Sequence, residues 1–272
     1  MASTDEAAPA APPRPYFLIP AVLLVLVAGW EIIATVRAAD SVPSDAAWAS
    51  AAKVVRERYR PGDLIVFAPG WADPIGRLHL GDLISIDDAA RMDAAKYARI
   101  WELSMRGAHA PEVAGLTAVE TTQGDVTVRR YERAPAVVRS DVREQLATAR
   151  TQGAARPPAL ELAEVGFAPH RCIQVVPQAG KPARVTFPQL ALGSELVGYV
   201  GIADVFTRRD VRAPATLSVE LGGKVVASVT AGVDDGWVRF AAPTTPGPGE
   251  VTFVVASAAP NRLVCFAAEA RE

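Results

Sequence analysis

The chain has three histidines, His79, His109 and His170, and two of them stand near acids that could share chemistry with them. Residues 69–82, PGWADPIGRLHLGD, bring Trp71, Asp73, Arg77, His79 and Asp82 into one short segment, and His109 follows an apolar stretch thirty residues on. Carboxylates beside an imidazole are the parts of a general acid/base site or of a hard-metal site. The spacing matches no defensible metal-ligand pattern. Asp73 before Pro74 also has a simpler use, because such an acid shapes a turn. No G-x-S-x-G, P-loop, H-E-x-x-H or C-x-x-C occurs, so neither a nucleophile elbow nor a phosphate loop is written into the sequence. No catalytic residue, resident metal or cofactor is therefore assigned. Trp71, Asp73, Arg77, His79, Asp82 and His109 remain as a candidate ligand-binding set. Trp71 and Trp237 are aromatic platforms for a sugar ring, although Trp237 in DDGW fits a packed strand residue better. Asp234 and Asp235 read as turn formers before they read as calcium ligands.

Whatever these residues do depends on what holds them. The chain has 272 residues, 50% hydrophobic and 21% charged, with 28 basic against 30 acidic side chains and a formal net charge of -2. That composition excludes a disordered chain and a basic nucleic-acid binder. A Pro- and Ala-rich leader, residues 1–15, precedes the apolar run Tyr16–Val36. Twenty-one residues rise about 31 Å as a helix, enough for a hydrocarbon core of about 30 Å. Tyr16 and Trp30 suit the interfaces, and Arg14 and Arg37 flank the run. Glu31 is tolerable only near an interface. Asp5 and Glu6 with a single basic residue make a poor signal-peptide start, so the run reads as an uncleaved anchor in the bilayer.

Beyond it, Trp48, Ala52, Val55 and Tyr59 recur at helical spacing, and Pro61-Gly62 ends that helix. Asp63–Ala68 reads as a strand buried on both faces. The segment 69–82 reads as a loop at the strand's carboxyl end, where open α/β sheets bind ligands. Ser85 with Asp88 resembles a capping box opening a helix that reaches about Lys96. Ala98–Met105 reads as a strand and residues 119–131 as a hairpin around Gln123-Gly124-Asp125. Residues 137–152 read as a helix and 153–159 as a linker. From 160 onward, short β-rich runs punctuated by Gly222-Gly223 and Asp234-Asp235-Gly236 predict about eight strands of an antiparallel sandwich of jelly-roll type.

Two resemblances attach to these segments. The helix followed by PGDLIVFAP, RIWELS and GDVTVRRYE makes residues 46–133 resemble the small extracytoplasmic α/β domain of polytopic lipid-linked-sugar glycosyltransferases of the mannosyltransferase-like class. That class carries its catalytic acids in a multi-span region that has no counterpart here, so the resemblance implies a fold and not an activity. The order G-Y-x-G, L-x-V-x-x-G-G, D-D-G-W, V-x-F-x-V and R-x-x-C-F makes residues 160–272 similar to galactose-binding-like jelly rolls. In a jelly roll the terminal strands neighbour each other, which would let Cys172 and Cys265 pair and would place them in an oxidising compartment.

The expected fold class is α+β multidomain: a transmembrane helix, a small Rossmann-like α/β domain over 45–133, a helix and linker over 134–159, and a β-sandwich over 160–272. The expected protein is a single-pass envelope protein of the inner (plasma) membrane with periplasmic domains. It would bind a glycan, a glycolipid or an envelope protein without catalysis. The rivals are an envelope sugar hydrolase or transferase using the Trp71–Asp82 loop, and a structural scaffold.

Overall fold

A computed structural model of the chain describes residues 18–40, 42–203 and 213–272. The leader and Tyr16 lie outside the described residues. Helix α1, Leu18–Asp40, spans 23 residues. Its stretch Ile19–Ala38 has a mean hydropathy of 2.2, is not buried against the rest of the protein, and is long and apolar enough to cross a membrane. Such a surface left in water would be unfavourable at about 25 cal/mol per Å².

The first body consists of α2 (Asp45–Arg58), β1 (Leu64–Ala68), α3 (Asp73–Leu80), the single turn α4 (Ile86–Ala89), β2 (Arg99–Ser104), β3 (Ala118–Thr122) and β4 (Thr127–Glu132). Ser44 caps α2, as the following acid and alanines favour. Its apolar stripe of Trp48, Ala51, Ala52 and Val55 packs on Phe67, Leu80, Trp101 and Leu103. The sheet runs β1-β2-β4-β3. The Rossmann-like form expected of this region is not confirmed. Only β1 and β2 run parallel among the described residues, and the sheet finishes as the antiparallel β3–β4 hairpin.

The second body is a β-sandwich, built from β5 (Val138–Asp141), β6 (Arg150–Gln152), β7 (Ala159–Val165), β8 (Ala168–Val175), β9 (Ala183–Leu192), β10 (Glu195–Ile202), β11 (Ala215–Leu221), β12 (Lys224–Ala231), β13 (Val238–Pro243), β14 (Gly247–Ser257) and β15 (Val264–Arg271). One sheet is ordered β13-β10-β15-β8-β7 with β5 also on β15; the other is β12-β11-β14-β9-β6. All of these pairings are antiparallel. Inward residues alternate along the strands, and Phe253 is the hub of the core. Phe266 stacks on it at 4.8 Å and Phe187 meets it edge-on at 5.8 Å, the offset and tilted geometries that aromatic quadrupoles prefer.

Three local expectations are corrected. Residues 137–152 are not a helix. Val138–Asp141 pairs with β15 and Arg150–Gln152 with β9, so this segment laces both sheets together, and only a 3-10 turn at Leu146–Thr148 is helical. The helix at Ser85 keeps its capping box but ends at Ala89, because the residues after it turn outward to grip the sandwich. The segment 69–82 is largely helical: a 3-10 turn at Gly70–Ala72 leads into α3, with Pro74 in the first turn, where its missing N–H costs nothing.

Candidate functional site

The two bodies meet along the strap 90–95. Its three leading carbonyls are all claimed by the sandwich. Arg171 N donates to Ala90 O at 2.9 Å, His170 Nδ1 lies 3.2 Å from Arg91 O, and Trp237 Nε1 donates to Met92 O at 3.2 Å. Asp93 then accepts Arg271 Nη1 and Nη2, each at 2.9 Å, with Ala95 N at 2.9 Å and Tyr199 Oη at 3.3 Å. Burial by itself would raise the Asp93 pKa, but the bonds and charge of Arg271 hold it below the ordinary carboxylate value. Arg271 also binds Glu269, which is within 3.3 Å of Arg143, itself paired with Asp141. Charges alternate along this line, as buried charges require. Tyr199, Trp237 and His170 stack beside it, with Trp237 between its neighbours at 6.0 and 4.4 Å. Burial lowers the His170 pKa from 6.5 to about 4, so its imidazole is neutral at pH 7.

A groove of about 480 Å³ opens along the strap, between Pro111–Glu112 of the α/β body and Ala168–His170 of β8. It runs on past Arg91 and Glu112 into a second hollow of about 280 Å³, bounded by Asp73 and Arg77 of α3 and by Phe167. Arg91 pairs with Glu112, and Arg77 with Asp73. Arg133 gives Nε to Tyr97 O at 3.1 Å, while its buried Nη2 has no hydrogen-bond partner among the described residues. Phe167 is 82% exposed, carried at the tip of the β7–β8 turn where Gly166 and Phe167 both have positive φ. The groove therefore offers guanidinium donors, carboxylate acceptors and one aromatic face. That set suits a polar, hydroxyl-rich ligand, held by a few convergent hydrogen bonds and a flat apolar contact.

Of the six residues proposed from the sequence, Asp73 and Arg77 line this groove. Trp71 stands on the adjoining surface, 60% exposed. His79 and Asp82 turn instead to α2: Asp82 takes Arg56 Nη1 at 2.7 Å, and His79 Nε2 is 3.1 Å from Asp45 Oδ1, with no hydrogen-bond partner among the described residues. His109 Nδ1 lies 3.2 Å from Glu102 Oε2. Each acid and histidine is thus engaged with a different neighbour.

Sequence reasoning did not single out Arg91, Glu112, Arg133, Phe167 or Glu102. Glu102 is fully buried in β2 and takes Ala110 N, Tyr131 Oη and Arg129 Nη1 at 2.7, 3.0 and 3.1 Å, besides His109. Burial and this bond push the Tyr131 pKa up to about 12. The one available signal was an acid between the apolar Trp101 and Leu103 of β2.

Cys172 and Cys265 are joined in a disulfide with a Cα–Cα distance of 5.5 Å. They lie on adjacent strands, on the face of the sheet away from the main core, among Val165, Ala203 and Trp237.

No family model matches the chain, and no curated protein matches it. Among solved structures, it is similar to CBM51-2 with INT domains of Clostridium perfringens ZmpB, in complex with GlcNAc, at 16% identity and a TM-score of 0.32, over 46% of this chain and 27% of that one. It is similar to CBM51 of Clostridium perfringens GH95, in complex with methyl-galactose, at 11% identity and a TM-score of 0.31, over 58% and 97%. TmCBM27, a carbohydrate-binding module described for mannan recognition, is 13% identical with a TM-score of 0.33, over 51% and 99%. The likeness of residues 46–133 to mannosyltransferase-like domains gains no support from these structures.

Proposed function

We propose that the chain is a single-span membrane protein of binding or accessory type, whose interdomain groove takes a saccharide, free or as a glycolipid head group, outside the membrane. The observation that carries the reading is the groove itself. It joins two bodies and is lined by the Arg91–Glu112 and Asp73–Arg77 pairs and by the exposed Phe167. Helix α1 supports the tether, since its apolar surface has no cover from the protein. The Cys172–Cys265 bridge supports an extracytoplasmic body, because disulfides persist in oxidising compartments.

Two experiments test this reading. Full-length protein in detergent micelles is applied to an array of surface saccharides and glycolipids, beside the Phe167→Ala variant. Retention by a defined saccharide that the variant loses supports the groove; equal behaviour of both proteins rejects it. A reporter active only outside the cytoplasm, fused after Glu272, should be active, and a silent but well-expressed fusion reverses the orientation.

A further inference from the structure

Helix α3 is apolar on its outward face as well as on the face it turns to the core. Gly76 and Leu80 face inward onto the core, and the Asp73–Arg77 pair flanks the groove. The outward face is Ile75 and Leu78, 40% and 77% exposed, continued by Trp71 of the preceding 3-10 turn, 60% exposed. Pro74 is exposed beside them, and no charged side chain stands on that arc. A solvated helix places its charges there.

The position of this face says what covers it. Arg106, just beyond the carboxyl end of β2, donates Nη2 to Ala38 O in the last turns of α1 at 3.3 Å. Met105 N bonds Ala68 O at 3.0 Å, which puts the ends of β1 and β2 side by side, and the chain passes from Ala68 into Trp71 and α3. Asp45, opening α2, lies 3.1 Å from His79 at the far end of α3. Asp45 is five Cα–Cα steps on from Asp40, a reach of at most about 18 Å. The end of the apolar helix and the outward face of α3 therefore sit at one edge of the α/β body.

We propose that the Trp71–Ile75–Leu78 face of α3 lies in the interfacial layer of the bilayer that α1 spans. This inference rests on the membrane-anchor reading above. Trp at the head-group level with aliphatic neighbours below it is the usual composition of an interfacial helix. Such docking would give the body a second attachment, fix its tilt, and hold the groove next to the membrane surface, where glycolipid head groups are.

The test uses full-length protein in nanodiscs, with an environment-sensitive fluorophore on Leu78→Cys or, separately, on Val25→Cys within α1. The native cysteines are paired, so each introduced thiol is the labelling site. Leu78 is outside the core, so the substitution leaves packing intact. Lipids spin-labelled high on the acyl chain should quench the probe at 78 by about half, deeply labelled lipids should quench the probe at 25, and Ile75→Asp should abolish the former alone. Quenching at 25 with a water-like, unquenched probe at 78 overturns the docking and leaves the anchor. No quenching at either site overturns both. A blue-shifted probe at 78 that lipid does not quench, in a particle whose mass shows two copies, assigns the face to a second copy and overturns the proposal.

Discussion

Arg271 in the last strand holds Asp93 with two parallel hydrogen bonds of 2.9 Å, and this bidentate pair joins the two bodies of the protein. Arg271 is 3% exposed. Removing one partner of a buried pair leaves the other charged and dry, at a cost of about 3–5 kcal/mol. Arg271→Met strands Asp93, leaves Glu269 with Arg143 alone, and should show that full loss in denaturant unfolding. Asp93→Ala leaves Arg271 with Glu269 and should cost less, about 2 kcal/mol. Both variants should split a single transition into two, as the α/β body and the sandwich uncouple. Equal and negligible effects would mean that the remaining contacts, the bonds to the strap's carbonyls and the Arg171–Asp87 pair, suffice to fasten the bodies.

The same seam should weaken in acid. His170 is neutral in the folded protein because burial lowers its pKa from 6.5 to about 4, whereas the unfolded chain takes up a proton near 6.5. A lowered histidine pKa stabilises the fold above the unfolded value, and that contribution fades as pH falls from 6.5 towards 4. It is worth on the order of 2–3 kcal/mol, or a fall in Tm of roughly 5–10 °C across that window. Asp93, held below its ordinary value, adds a loss only as pH drops below 3.8. His170→Phe keeps a ring against Trp237 and removes the titration, so its Tm should be flatter between pH 6.5 and 4.5 than that of the parent.

The strands of the sandwich were legible from short β-rich runs such as residues 263–266, although the last strand runs on to Arg271, with Ala268 and Ala270 continuing the inward face of Val264 and Phe266. Of the interleaved residues, Cys265 is covered within the sandwich by Val165, Ala203 and Trp237, whereas Glu269 and Arg271 have the types of a solvated face and are buried where Asp93 of the strap caps their charged line. No local pattern records that cover. Residues 141–150, DVREQLATAR, carry helix-forming side chains, yet β5 and β6 on either side are pinned to different sheets and leave no room for helical turns. Tertiary pairing outweighs propensities of a few tenths of a kcal/mol per residue. The groove was half legible. Asp73 and Arg77 are four residues apart on one helix, but Glu112, Arg133 and Phe167 come from distant turns that only the packing brings together.

Reduction of Cys172–Cys265 should also destabilise the sandwich. The bridge closes a separation of 93 residues, worth about 4–5 kcal/mol on a chain-entropy account. A Cys172→Ala/Cys265→Ala double variant should unfold at correspondingly lower denaturant concentration. The α/β body, which contains no cysteine, should keep its own transition midpoint in an Arg271→Met background with or without reductant.

Helix α3 is seated by Gly76, whose Cα faces the Phe67 ring so closely that an added Cβ would overlap it. Gly76→Ala improves helix propensity by about 1 kcal/mol and should still destabilise the protein by about 1–3 kcal/mol, because the ring and helix must separate. Trp71 and Asp73 then move with the helix, so saccharide retention and the lipid quenching of a probe at 78 should both fall. A variant with unchanged stability would show that Phe67 has another rotamer open to it.

A binding groove and a structural scaffold differ in what Phe167 is for. The side chain is 82% exposed at a turn tip, and replacing an exposed residue ordinarily changes stability by less than about 0.5 kcal/mol. A scaffold would have no saccharide retention for Phe167→Ala to remove. If the ring is one wall of a saccharide site, its loss should weaken retention on the array by about tenfold, since an aromatic contact with a ligand is worth on the order of 1 kcal/mol or more. Arg91→Ala supplies the complementary case. It removes a groove donor and also the partner of Glu112, so it should lower both binding and stability. The diagnostic result is the separation of the two variants: Phe167→Ala moves binding alone, and Arg91→Ala moves both. Unchanged retention in both variants would leave the groove without a ligand and favour the scaffold.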